Sequence, residues 1–252
     1  MPRRSPPPLA LAYHAVGDVP PPDDYHRLFV SPEALERQLA TLRRWGYRFV
    51  TFSELLDRID AGGGRGHVAM TFDDGFADNL HVLVPLLRRH GGTATVFAVS
   101  GWLGKPHPAA PAARILAPDE LRELHAASVE IGGHTVTHAD LSRASYSTAL
   151  QELADSRTQL EEIIGAPVTV AAYPYGAASP EARRACRDAG FRGACRTGRE
   201  HGLPVDSWYY PRENMGNRSS ALGLRLKREG RYEDVMRLKF ARAVRRVRYR
   251  LP

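Results

Sequence analysis

At 252 residues, with 43% hydrophobic and 25% charged residues, the chain is long enough to bury a substantial core, and one domain of barrel size is expected. No window approaches the ~18 apolar residues of a membrane span, and the formal net charge of +7 is gathered toward the C-terminus. The proline-rich opening and the short apolar run 9–13 make no signal-peptide core, so a cytoplasmic place is expected, with Cys186 and Cys195 as reduced thiols.

In chain order, residues 9–13 read as a buried strand with His14 at its end, facing either a site or a neighbouring loop. A loop rich in Pro and Asp over 17–30 leads to Ser31-Pro32-Glu33-Ala34. Ser as cap and Pro in the first turn start a helix there, and Leu35, Leu39, Leu42 and Trp45 recur at helical spacing. A strand over 47–50, a helix over 52–59 and a glycine-rich hairpin or linker over 61–66 follow. Gly62-Gly63-Gly64 is not a phosphate loop, because no Lys-Ser/Thr comes after it. The apolar run 68–72 is a strand that stops at Asp73-Asp74-Gly75. Neighbouring strand residues face opposite ways, so both carboxylates serve one site only if the backbone begins to turn there. A cation would relieve their repulsion. The plain alternative is a helix cap before a helix over 76–90.

A strand over 93–99, a long loop over 100–117 containing Trp102, a helix from Pro118 and a strand at 129–131 lead to Gly132-Gly133-His134-Thr135-Val136-Thr137-His138. The glycines permit a tight turn out of the strand, and two imidazoles four apart share a face if the segment is helical. With one carboxylate they make a two-His, one-carboxylate set, which leaves open positions on a metal as a catalytic site requires. Helices over 145–164 and 179–189 and strands over 168–172 and 191–194 complete an alternation. That pattern implies a parallel sheet closed or nearly closed into a barrel, with ligands at the C-terminal ends of its strands.

Thr71-Phe72-Asp73-Asp74-Gly75, His134-Thr135-Val136-Thr137-His138 and Tyr173-Pro174-Tyr175-Gly176, in that order, resemble the first three motifs of the polysaccharide deacetylases, carbohydrate esterase family 4 with its nodulation-deacetylase-like domain. The likeness runs over about residues 9–212. It implies an α/β fold, a distorted (β/α) barrel with fewer than eight regular repeats over 1–224, leaving 225–252 as a basic C-terminal helical extension. It implies that Asp74, His134 and His138 hold a divalent ion, zinc first and cobalt or nickel as alternatives, and that Asp73 beside it is the general base. The ion would polarise the acyl oxygen and lower the pKa of a water from 15.7 to ~7. The backbone N–H of Tyr175 would face the oxyanion, an interaction worth ~3 kcal/mol. Tyr173 and Tyr175 would border the substrate, Trp208 resembles the aromatic that shapes the pocket wall, and His14 follows Tyr13 as it often does in the family.

Two positions depart from the family pattern. The arginine that tethers the base, two residues before the motif proline, is Ala172 here, and Arg212 is the candidate to supply the guanidinium from another loop. The last motif, which carries a general-acid histidine, has no match near the C-terminus, leaving His14, His201 or Asp73 itself as proton donor. Between 225 and 250, eleven Lys or Arg accompany three acidic residues, and Met236, Phe240, Val244, Val247 and Leu251 fall on one side of a helix expected from about Asp234. Such a basic amphipathic helix packs on the barrel or lies on an anionic inner membrane surface. No nucleic-acid motif accompanies it. The activity implied is removal of N-acetyl groups from an amino sugar in a glycan or glycolipid precursor. A non-catalytic barrel acting as scaffold or membrane-binding protein is one alternative, and hydrolysis of a non-sugar amide or imide is another.

Overall fold

The computed structural model describes residues 5–18, 28–198, 206–217 and 219–229. Two compact units divide at Asn217, upstream of the boundary expected at 224. In the second unit the described helix is Ala221–Arg228, capped by Ser220, whose hydroxyl accepts from the Gly223 amide at 3.1 Å. The amphipathic helix expected over 234–251 lies outside the described residues, as does His201.

The first unit is built on eight strands: β1 Leu9–Tyr13, β2 Arg48–Val50, β3 His67–Phe72, β4 Thr95–Ala98, β5 Glu130–Gly133, β6 Val170–Ala172, β7 Gly193–Thr197 and β8 Tyr210–Asn214. Seven of them close a parallel ring in chain order, with β8 returning to β1 and β1 pairing β3 from Leu9↔Val68 to Tyr13↔Phe72. The distortion sits at β3. Its first half pairs β2 (Arg48↔His67 to Val50↔Ala69) and its second half pairs β4 (Thr71↔Thr95, Phe72↔Val96), so one strand edge serves two neighbours. Strands covered on both faces carry unbroken apolar runs, and all five residues of β1 are buried.

Helices α1 Pro32–Arg44, α2 Phe52–Asp60, α3 Val84–Arg89, α4 Pro118–Ala126, α5 Tyr146–Ile164 and α6 Pro180–Asp188 alternate with the strands. Helix α2 plugs the N-terminal end of the barrel. Its first amide, on Phe52, donates to Thr95 Oγ1 (2.8 Å) and to Glu130 Oε2 (3.0 Å), and Phe52 packs edge-on against Phe97 and Tyr210. These rings fill the lower interior and leave the polar layer of Thr71, Asp73 and Arg212 above them, with the Arg212 guanidinium 5.3 Å from the centre of the Phe97 ring.

Three local expectations are corrected. Gly132 and Gly133 lie within β5 and make no turn: a side chain at Gly132 would meet the Phe97 ring at 2.3 Å, and one at Gly133 would meet Phe191 at 2.9 Å. The helix expected over 76–90 begins as a π-helical turn, Asn79–Leu83, before α3; Pro85 has no amide to continue an α ladder. The loop over 100–117 contains an antiparallel hairpin, Pro106–His107 with Ala110–Arg114.

Candidate active site

Strand β3 carries two carboxylates to the top of the barrel. The Asp73 amide still donates to Tyr13 O at 2.9 Å, so Asp73 keeps its place in the strand and points into the barrel. Asp74 adopts φ 72, a left-handed conformation that only a turn imposes on a non-glycine residue, and this brings its side chain to the same site. Arg212 reaches across from β8 and grips Asp73 at both oxygens, Nη1 to Oδ1 at 2.6 Å and Nη2 to Oδ2 at 2.8 Å, while Nη1 also donates to Thr71 Oγ1 at 2.8 Å. Arg212 is fully buried. Burial alone would raise the Asp73 pKa; the Arg212 guanidinium, followed by His134, more than offsets it and holds the carboxylate below its usual range.

Removing one partner of such a pair strands a buried charge, which typically costs 3–5 kcal/mol. Arg212→Met is therefore expected to lose roughly that stability at pH 7 in urea unfolding. Asp73 has a folded pKa below its unfolded value, so its contribution is present above the ordinary carboxylate pKa of about 3.9 and is lost as pH falls through the lower folded value. The gap between wild type and variant should close in acid. Equal stability of the two at pH 7 would contradict the pairing.

The two histidines are not on a helix. His134 leaves β5 with its amide on Ala98 O at 3.0 Å, and Thr135 (φ 65) and His138 (φ 62) are both left-handed, folding 134–138 into a compact loop. Glu152 of α5 clamps that loop, accepting from the Val136 amide (2.9 Å), the Thr137 amide (3.0 Å) and the Thr137 hydroxyl (2.9 Å). From the other side the Gly101 amide donates to Val136 O at 3.0 Å, where a side chain on Gly101 would approach to 2.4 Å. Glu152→Ala is expected to cost about 1.5–3 kcal/mol of local stability per charged hydrogen bond not replaced by water. Faster hydrogen exchange at the Val136 and Thr137 amides would report it, and unchanged exchange would count against the clamp.

His134 Nδ1 lies 2.8 Å from Ala172 O, a carbonyl that can only accept, so Nδ1 carries the proton and Nε2 is left with its lone pair. Nε2 of His134 and Nε2 of His138 each lie 3.6 Å from Asp74 Oδ1. Burial, then the neighbouring His134, push the His138 pKa down to about 4, so its ring is neutral at pH 7. Asp74 Oδ1 is buried and has no hydrogen-bond partner among the described residues. Unsatisfied buried carboxylate oxygens are costly, and two imidazole nitrogens converge on this one, that of His134 with its lone pair free, an arrangement that suits a cation. Asp74, His134 and His138 are the one such group among the described residues, their ligand atoms within 4.8 Å of one another. Nitrogen and oxygen donors of this kind fit zinc, with cobalt and nickel compatible.

The remaining expected residues separate into those at the site and those away from it. His14 directly follows β1, half-buried, with its carbonyl accepting from Asn79 Nδ2 at 3.1 Å. Tyr175 (φ 58, ψ 5) is 70% exposed, with its ring 4.6 Å from that of His138. Gly176 after it is required, since a side chain there would meet Thr197 Oγ1 at 1.9 Å. Tyr173 is a correction: it is fully buried, its hydroxyl donating to Trp208 O at 2.8 Å, and it offers nothing to a substrate. Trp208 is another. It precedes β8 at the N-terminal end of the barrel, beneath the Arg187 guanidinium at 5.3 Å, whereas the carboxylates lie at the opposite end. Trp102 is the tryptophan at the site, its ring centre 5.1 Å from His138. Sequence reasoning also missed Glu152 and His107, the latter 3.3 Å from Asp74 through Nε2.

Residues 60–194 match the family model described as polysaccharide deacetylase. Among solved structures, the Streptococcus pyogenes deacetylase PplD in complex with acetate superposes at TM-score 0.74 with 23% identity, covering 88% of this chain and 97% of that one. The de-N-acetylase from Aggregatibacter actinomycetemcomitans superposes at 0.74 with 21% identity, covering 86% and 98%. At these identities the likeness concerns the fold. Among curated proteins, YxkH of Bacillus subtilis (strain 168) is 26% identical over 184 residues, 72% of this chain, and a Bacillus sp gellan lyase is 31% identical over 112 residues, 44% of this chain. The chain spans 61% of the length of the first and 4% of the second.

Proposed function

The chain belongs to the polysaccharide deacetylase family, and from that premise we propose that it is a metal-dependent hydrolase removing N-acetyl groups from an amino sugar in a glycan or glycolipid precursor. The observation that carries the reading is the division of labour between two adjacent carboxylates. Asp74 Oδ1 is buried between two imidazole nitrogens with no hydrogen-bond partner among the described residues, while Asp73 is held ionised by a bidentate arginine.

Asp74, His134 and His138 would hold a divalent ion, and that ion would supply Lewis acidity toward the acetyl oxygen and a water. The rest of the chemistry belongs to the chain. Asp73 accepts the proton of the attacking water, and Arg212 keeps that carboxylate ionised and fixed in direction. As the water oxygen bonds to the acetyl carbon, the Tyr175 amide faces the developing oxyanion from a turn fixed by Pro174 and Gly176. The C–N bond then breaks, and the leaving amine takes a proton from His14 or from Asp73, giving acetate and the free amino sugar. Trp102 and the exposed Tyr175 flank His138 and offer apolar faces to a sugar ring.

A substrate panel tests the reading. N-acetylglucosamine oligomers, acetylated monosaccharides and non-sugar amides or imides are offered to the zinc-loaded chain. Acetate from the acetylated sugars is expected; turnover confined to non-sugar amides would replace the sugar assignment, and no turnover by a zinc-loaded chain would favour a scaffold.

A further inference from the structure

The hairpin that replaces the expected loop delivers a buried histidine to the back of the site. Its second strand is stitched to the turn that follows Asp74: Ala77 N donates to Arg114 O at 3.0 Å, Leu116 N donates to Gly75 O at 2.9 Å, and Phe76 bridges Ile115. The first strand thereby holds His107, 4% exposed, with its ring stacked on Phe76 at 4.7 Å and edge-on to Trp102 at 5.2 Å.

The two ring nitrogens of His107 have different partners. The Ala109 amide lies 3.1 Å from Nδ1, and an amide N–H can only donate, so Nδ1 is the unprotonated nitrogen. In the neutral ring Nε2 then carries the hydrogen, and it faces Asp74 Oδ2 at 3.3 Å. The oxygens of Asp74 are thus divided, Oδ2 tied to His107 and Oδ1 turned toward His134 and His138. Resting on the metal-site reading above, we propose that His107 is a positioning residue for the ion. It anchors Asp74 through Oδ2 so that Oδ1 alone is presented, and it is not itself a fourth ligand, because its only nitrogen near the site carries a proton.

Zinc and cobalt affinities of the 252-residue chain, measured by competition with a chromophoric chelator, test this. His107→Phe keeps a ring against Phe76 and removes the donor, and a loss of about 10–100-fold in affinity is expected, as for other partners of ligating groups. His107→Gln, whose side-chain N–H can reach the same oxygen, should recover most of that loss. The visible spectrum of its cobalt form should match that of wild type, since no ligand has gone. His107→Ala takes the place of the Phe variant if the larger ring prevents folding. Wild-type affinity in the variants without a donor, or a cobalt spectrum of His107→Gln showing a lost ligand, overturns the inference while leaving the metal site standing. Failure of the wild-type chain to bind either ion overturns the metal-site reading and this inference with it.

Discussion

His134→Ala should purify without its metal ion under conditions in which the wild-type chain holds one equivalent of zinc. Structural zinc sites in small peptides bind with about 10–16 kcal/mol spread over four ligands. Losing one ligand therefore removes several kcal/mol, roughly 10²–10³-fold in affinity at 1.4 kcal/mol per decade. The loss falls on a site with little means of compensating. His134 is 2% exposed and its orientation is set by the bond to Ala172 O, so it is a fixed donor whose removal takes away one of three. His138 and Asp74 alone leave two donors. Metal content by elemental analysis, read beside a thermal melt to establish that the variant is folded, decides the matter; a stoichiometric ion in folded His134→Ala would remove this residue from the ligand set.

Asp73→Asn should do the opposite, keeping the ion and losing turnover. General-base catalysis typically contributes 10²–10⁴-fold, and an amide of nearly the same shape cannot accept the proton at neutral pH. The drop is expected in kcat with KM little changed, since the role proposed for Asp73 concerns the water and not substrate binding. One side effect follows from burial. Arg212 loses its counter-charge, retaining Thr71 Oγ1 at 2.8 Å and Arg196 O at 3.4 Å, so the variant should melt lower than wild type while still binding zinc. Wild-type kcat in Asp73→Asn would show that another group takes the proton.

The site was legible in sequence to the extent that its parts lie at strand ends. Asp73 and Asp74 terminate an apolar run, and His134 follows another short strand, so a parallel alternation of strands and helices brings them together whatever the details between. Arg212 could be named because Ala172 left a carboxylate without its expected guanidinium. What could not be read was direction and long-range contact. Trp208 stands a few residues before Arg212, but β8 begins at Tyr210, so the two lie toward opposite ends of one strand. Pro211 within that stretch, lacking an amide, hid the strand altogether. The spacing of His134 and His138 suggested a helix, whereas two left-handed residues and the Glu152 clamp make a loop with the same outcome. Glu152 lies mid-helix, where a glutamate reads as solvated surface. His107 sits in a two-residue strand among prolines, and nothing in its spacing ties it to Asp74, 33 positions away. Gly132 and Gly133 showed that the backbone needed room; only the structure shows that Phe97 and Phe191 take it.

Metal-dependent deacetylation is measured most directly as acetate release from an N-acetylglucosamine oligomer by the 252-residue chain, followed with its ion present, after chelation, and after zinc is returned. One acetate for each free amine formed is expected, with loss of release on chelation, recovery with zinc, and none from His134→Ala. Acetate release that survives both chelation and His134→Ala would contradict it, because the chemistry would then proceed without the centre formed by Asp74, His134 and His138.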